Sequence, residues 1–293
     1  MPYLDLDGRR LHYRLDGTAG TPVLLLSNSL GTTLDMWQPQ LAALGQRYRL
    51  LRYDTRGHGG STLGDGACSL AQLGGDVLAL LDALDIERVH FCGISMGGLT
   101  GQWLGVHAPQ RLHKLVLCNT AARIGNAEGW HSRAALVRQG GMTEVAAGAA
   151  ARWFSADYLA AEMTAVSALI RQLAACDAAG YAACCDALAT ADLRDAIAGI
   201  TLPTLVVAGL QDPVTTPSDA DFIADRIAGA QRVDLPASHL SSIEAAAAFN
   251  KVVAGKLNMV RSSPGPGWAG RERAARHATR RRPGAGSGPR GNW

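Results

Sequence analysis

The 293-residue sequence predicts an α/β protein: a mostly parallel central sheet flanked by helices and interrupted by a helical insertion. Three observations carry this. Up to about residue 118, short apolar strand patterns alternate with helical ones, which implies a parallel sheet covered on both faces. From 121 to 198 the chain is Ala-rich and shows no strand pattern. From 202 the alternation of strand and helix resumes.

Taken in order, residues 3–6 and 10–14 alternate around Asp7-Gly8, a hairpin signal. Val23-Leu24-Leu25-Leu26-Ser27 is a continuous apolar run, as a buried parallel strand requires, and it ends in the loop Asn28-Ser29-Leu30-Gly31. Residues 34–44 suit a helix. Residues 48–53 suit a strand, closed by Asp54-Thr55-Arg56-Gly57-His58-Gly59-Gly60-Ser61. Ser69 can cap a helix to Leu84, whose apolar residues Leu70, Leu73, Val77, Leu80, Leu81 and Leu84 fall on one face. A strand is expected at 88–92, a helix at 99–107 and a strand at 111–118. The insertion carries helical runs such as 143–154 and 160–174. Residues 204–208 and 231–235 complete the strands, and helices are expected at 219–227 and 241–257. The domain organisation expected is therefore a core at 1–120 and 199–257, a helical cap at 121–198 and a tail at 258–293.

Composition narrows the function classes. Apolar residues make up 47% of the chain and charged residues 18%, values of an ordinary globular protein. The formal charge of +3 is misleading: the tail holds eight arginines and one glutamate, a contribution of +7, which leaves −4 for residues 1–257. The body carries no nucleic-acid footprint, and no apolar stretch approaches membrane-span length. The tail, rich in Pro, Gly, Ser and Arg, is expected to be a disordered, solvated extension. The start Met1-Pro2-Tyr3-Leu4-Asp5 shows no secretory signal, so a cytoplasmic location with reduced cysteines is expected. The six cysteines form no C-x-x-C pair and no H-E-x-x-H occurs, so no zinc site is expected. The oligomeric state is not legible.

The chemistry centres on Gly93-Ile94-Ser95-Met96-Gly97, which reads G-x-S-x-G between an expected strand and an expected helix. A serine at such a corner is held in a strained backbone with its Oγ clear of the sheet. Gly93 and Gly97 lack a Cβ, which lets strand and helix approach, and the helix N-terminus offers N–H groups to an oxyanion. A serine hydroxyl needs a base, and the base an orienting acid. In such sheets these groups stand outside the carboxyl ends of strands. Asp212, directly after the 204–208 strand, is the acid; Asp219 and Asp221 open the next helix and suit first-turn charges instead. His239, between the last strand and the last helix, is the base. His58 is the rival, but it precedes Ser95, whereas the order Ser95…Asp212…His239 is the one this architecture requires. The oxyanion would be held by the backbone N–H of Met96 and one from the loop after the first parallel strand, assigned to Leu30.

These residues resemble the α/β-hydrolase fold family over roughly residues 1–257, and the 54–61 segment resembles that family's structural turn. More narrowly, the stretches at 27–37, 53–61, 118–125 and 208–217, with Ser238-His239-Leu240, resemble the 3-oxoadipate enol-lactonases of aromatic catabolism. Many hydrolases of this type carry His-Gly where this chain has Asn28-Ser29, so the Ser29 hydroxyl is a candidate substrate contact. The resemblance implies a small-molecule enol lactone bearing a carboxylate, with no metal, organic cofactor, nucleic acid or membrane involved. A carboxylate asks for a cation, and Arg123 and Arg133, with Trp130 beside them in the cap, are the candidates. The same triad also serves esterases, carbon–carbon bond hydrolases and perhydrolases, and a ligand-binding protein can keep such a pocket without turnover. Ser95 argues against epoxide and haloalkane hydrolysis, which need an aspartate nucleophile.

Overall fold

The computed structural model describes residues 2–6, 8–64 and 68–258. Asp7 of the expected hairpin turn and residues 259–293 of the expected tail lie outside the described residues. Eight strands form one sheet: β1 (Tyr3–Leu6), β2 (Arg9–Asp16), β3 (Val23–Ser27), β4 (Arg49–Tyr53), β5 (Val89–Ile94), β6 (Leu112–Cys118), β7 (Thr204–Gly209) and β8 (Gln231–Leu235). Their spatial order is β1-β2-β4-β3-β5-β6-β7-β8. β1 and β2 pair antiparallel, as do β2 and β4; from β4 to β8 every pair is parallel. The chain runs from β3 to β4 on one side, then returns to place β5 on the other side of β3. The carboxyl ends of β3 and β5 therefore open onto the switch point, where an α/β sheet binds its ligands.

The core helices follow from the sequence pattern. They are α1 (Gln38–Leu44), α2 (Leu70–Ala83) and α3 (Met96–His107). In α2, Ser69 accepts from the Gln72 N–H, and Leu70, Leu73, Val77, Leu80 and Leu81 are buried. Such a cap stabilises by about 1 kcal/mol, and each buried aliphatic side chain by roughly 1.5–3 kcal/mol. The helix expected at 34–44 begins as a 3-10 turn, Leu34–Trp37, and becomes α-helical at Gln38, with a proline in its first turn. α3 starts at Met96, three residues earlier than the apolar pattern suggests, because Ser95 itself is its N-cap.

The insertion between β6 and β7 is entirely helical among the described residues: α4 (Ala127–Gly140), α5 (Thr143–Ala147), α6 (Ala149–Trp153), α7 (Ala156–Ala161), α8 (Met163–Ala174) and α9 (Ala178–Thr190). The run expected at 143–154 breaks in two at Gly148, and the run from 160 breaks around Glu162. α4 and α9 pack on one another. α9 docks on the core backbone to backbone: a Cβ on Gly180 would stand 2.3 Å from Gly57 O. Core and insertion belong to one compact unit ending at Leu257. α10 (Pro217–Arg226) opens with a capping box from Thr216 and Asp219. The closing helix expected at 241–257 is two helices, α11 (Ser241–Glu244) and α12 (Ala246–Asn258), broken at Ala245.

Candidate active site

Ser95 sits between β5 and α3 at φ 56° and ψ −117°, a left-handed backbone that an L-residue adopts at a cost. Its surroundings hold it there. Its N–H is shared between Cys118 O and Asn119 O, each at 3.1 Å, and its carbonyl accepts from the Thr120 hydroxyl at 2.7 Å. The glycines do what the motif requires. A Cβ on Gly93 would lie 2.3 Å from Gly97 O, and one on Gly97 would lie 2.2 Å from Ser27 O. Only bare backbone lets α3 approach the ends of β3 and β5 this closely.

Asp212 follows β7 and His239 follows β8. His239 Nδ1 lies 2.9 Å from Asp212 Oδ2. A carboxylate only accepts, so Nδ1 carries the proton and Nε2 is the nitrogen left to act as base. Asp212 Oδ2 also accepts from Asn119 Nδ2 at 3.0 Å and Thr215 Oγ at 2.8 Å, while Oδ1 takes the N–H groups of Val214 and Thr215. Burial pushes this carboxyl up, but the donors, His239 foremost, outweigh it and hold Asp212 below the usual carboxylate range. The acid is thus an anion at neutral pH.

Ser95 and His239 open into one cavity of about 300 Å³, whose walls include Ser29, Leu30, Trp130, Arg133, Arg152 and Tyr181. The Asn28–Gly31 loop is tied down by Asn28, which donates to Tyr53 O at 2.9 Å and accepts from Trp37 Nε1 at 2.8 Å. Met96, first residue of α3, has an N–H with no acceptor inside its own helix. Both expected oxyanion donors therefore belong to elements that border Ser95.

The cap supplies the charge. Arg133 of α4 lies with its guanidinium carbon 4.9 Å from the Trp130 ring centroid, and its charge acts on the Tyr181 hydroxyl. Arg152 of α6 donates to Val145 O at 2.8 Å. Burial first, and then the charge of Arg133, lowers Arg152 from its ordinary value. Two guanidiniums close enough to oppose one another face the cavity that Ser95 and His239 also line, an arrangement suited to an anion.

Arg123 does not share this placement. It is outside the cavity lining, about a third exposed, and lies 3.6 Å from Asp192. The loop after β6 turns its side chain to the surface, so the expected carboxylate contact there is corrected. Arg152 was not legible in the sequence. Its only signal is a lone arginine in an Ala-rich helix, directly before Trp153-Phe154. Asn119, which donates to Asp212 and accepts the Ser95 N–H at its carbonyl, carries no catalytic signal of its own in the sequence. It occupies the left-handed region at φ 41°, where asparagine is favoured. His58 lies outside the cavity lining.

A family model described as the alpha/beta hydrolase fold matches residues 22–246. The chain belongs to the alpha/beta hydrolase fold family. It is 49% identical over 243 residues to 3-oxoadipate enol-lactonase 2 of Acinetobacter baylyi, covering 83% of this chain and 91% of the relative. It is 43% identical over 253 residues to 3-oxoadipate enol-lactonase 1 of the same organism, covering 86% and 95%. The crystal structure of the enol-lactonase from Burkholderia xenovorans LB400 superposes with a TM-score of 0.86 at 47% identity, over 88% of this chain and all of that one. Among the described residues no helix is long and apolar enough to cross a membrane.

Proposed function

We propose that this chain opens the ring of 3-oxoadipate enol-lactone with water to give 3-oxoadipate. The observation that carries the reading is the cavity in which Ser95 and His239 face Arg133 and Arg152. Its volume of about 300 Å³ suits a small lactone, and its two cations suit a side-chain carboxylate. The resemblance to enol-lactonases over most of the chain supports the same substrate.

Ser95 Oγ attacks the lactone carbonyl while His239 Nε2 takes its proton. Asp212 keeps His239 in the required tautomer and stabilises the imidazolium. The N–H groups of Leu30 and Met96 receive the oxyanion of the tetrahedral intermediate. Collapse breaks the ring C–O bond and expels an enolate, a better leaving group than an alkoxide; the proton held by His239 passes to the enolate, which becomes the ketone, and Nε2 is free again. Water, deprotonated by His239, then attacks the acyl-serine and releases the new carboxylate, restoring Ser95. Throughout, Arg133 and Arg152 hold the substrate's own carboxylate, with Trp130 supporting Arg133 and Ser29 contacting the ring.

The test follows the decay of enol-lactone absorbance with wild type and Ser95→Ala. The expected loss in kcat is on the order of 10⁵–10⁶-fold. Equal rates would reject Ser95 as nucleophile.

A further inference from the structure

His58 is 1% exposed, and both its ring nitrogens are engaged. Nδ1 lies 3.1 Å from Arg56 O, an atom that only accepts, so Nδ1 carries the proton. Nε2 is therefore bare, and it accepts the Gly31 N–H at 3.0 Å. Gly31 stands at φ 81° and directly follows Leu30. The other end of this loop is held by Asn28, and its middle by the Thr32 hydroxyl donating to Ser29 O at 2.8 Å. The Gly31–His58 bond is thus the anchor nearest the proposed oxyanion donor on its carboxyl side.

We propose that His58 is a positioning residue: its neutral Nδ1–H tautomer pins Gly31 and so aims the Leu30 N–H at the oxyanion, and a proton on Nε2 releases the loop. The proposal rests on the reading of Leu30 as an oxyanion donor. A protonated Nε2 would confront the Gly31 N–H, two donors with no acceptor between them, and the loop must shift to separate them. The groups facing the ring come from two sides. Asp54 belongs to the same turn; Asp177, Cys176 and Tyr181 come from the cap, with the Tyr181 ring centroid 6.3 Å away. Asp54 already accepts from His12, Leu34 N–H and Gly60 N–H, and Asp177 from the N–H groups of Ala179 and Gly180. Burial outweighs the Arg56 carbonyl and both carboxylates and lowers His58 from its ordinary value, which favours the neutral ring the loop needs.

The test combines nitrogen-15 NMR of the wild-type chain with kinetics of His58→Leu and His58→Gln. Near neutral pH, His58 Nδ1 should be protonated and Nε2 bare, and the Gly31 amide resonance should move as His58 takes up its proton in acid. Leucine offers Gly31 no acceptor, so His58→Leu should lose on the order of 10–100-fold in kcat, less than deletion of an oxyanion donor, with KM within about threefold. The amide oxygen of glutamine can accept from Gly31 but takes up no proton. His58→Gln should keep kcat within about fivefold, and its kcat/KM should fall in acid with one proton fewer than wild type. A proton on Nε2 at neutral pH, a Gly31 amide indifferent to His58, or equal losses in both variants with an unchanged acid profile would overturn the proposal. If His58→Leu fails to fold, the glutamine variant and the wild-type resonances still decide. A wild type inert toward the lactone would contradict the proposed function but leave the tautomer and the Gly31 coupling readable.

Discussion

The floor and the roof of the cavity are built by opposite means. The floor is Ser95, His239 and the Ser29-Leu30 loop, each within four residues of the carboxyl end of a strand. The parallel register of β3, β5, β7 and β8 sets their spacing, and buried polar contacts from Asn119, Thr120 and Asn28 lock the loops. The roof is Trp130, Arg133, Arg152 and Tyr181, carried by three different helices of the insertion. None of these is fixed by strand pairing; packing of α4 on α9, and of α9 on Gly57, places Trp130, Arg133 and Tyr181, and packing of α6 on α5, α7 and α8 places Arg152. On the proposed function, chemistry resides on the wall set by strand pairing, and substrate choice on the wall set by helix packing.

Substitutions on the two sides should therefore fail in different ways. The largest effect after loss of the nucleophile is expected on the floor. Asp212→Asn keeps the shape but lets His239 adopt the wrong tautomer, and kcat should fall about 10⁴-fold with little change in KM. A large rise in KM instead would place Asp212 in binding. On the roof, Arg133→Ala or Arg152→Ala removes a hydrogen-bonded cation worth roughly 1.5–3 kcal/mol, so KM for the carboxylated lactone should rise about 10–100-fold. Steady-state kinetics that show kcat collapsing while KM stays fixed would dissolve the division between the two walls.

A milder floor lesion sharpens the comparison. Asn119→Gly tolerates the left-handed backbone but deletes the amide that binds Asp212. We expect kcat to drop about tenfold at constant KM; unchanged kcat would make the amide dispensable. The effect expected to leave turnover untouched concerns stability beneath the floor. His90 of β5 is lowered to about 4 by burial, aided by His113 and Lys114, and its buried Nδ1 has no hydrogen-bond partner. The unfolded chain takes this proton near pH ~6.5 and the folded one only near 4, so stability present above about 6.5 is lost on descending to about 4. The loss is at most on the order of 3 kcal/mol. Denaturant unfolding of His90→Phe at both ends of that window should show a flatter pH dependence than wild type; an identical slope would acquit His90.

The same contrast governs what the amino-acid sequence reveals. Strand β3 coincides with its apolar run to the residue, because a doubly covered strand must be apolar throughout. Ser95, Asp212 and His239 are legible because strand ends are legible and the chemistry admits few residue types. Helix breaks at Gly148 and Ala245 are not, since Ala-rich segments carry no periodicity strong enough to mark them. Arg123 and Arg152 show the limit most clearly. Arg123 follows the end of β6 by five residues yet turns out to Asp192, whereas Arg152 is remote in sequence and reaches the cavity. Which arginine faces in is decided by the docking of cap helices, a tertiary event with no local signature.

The most direct test of this division is the ratio of kcat/KM for the carboxylated enol-lactone to that for its neutral methyl ester, measured in wild type and in Arg133→Ala/Arg152→Ala. The account predicts a strong wild-type preference for the acid that collapses toward unity in the double variant, with kcat on the ester preserved. A ratio untouched by the double substitution, or an equal collapse of kcat on both substrates, would contradict it.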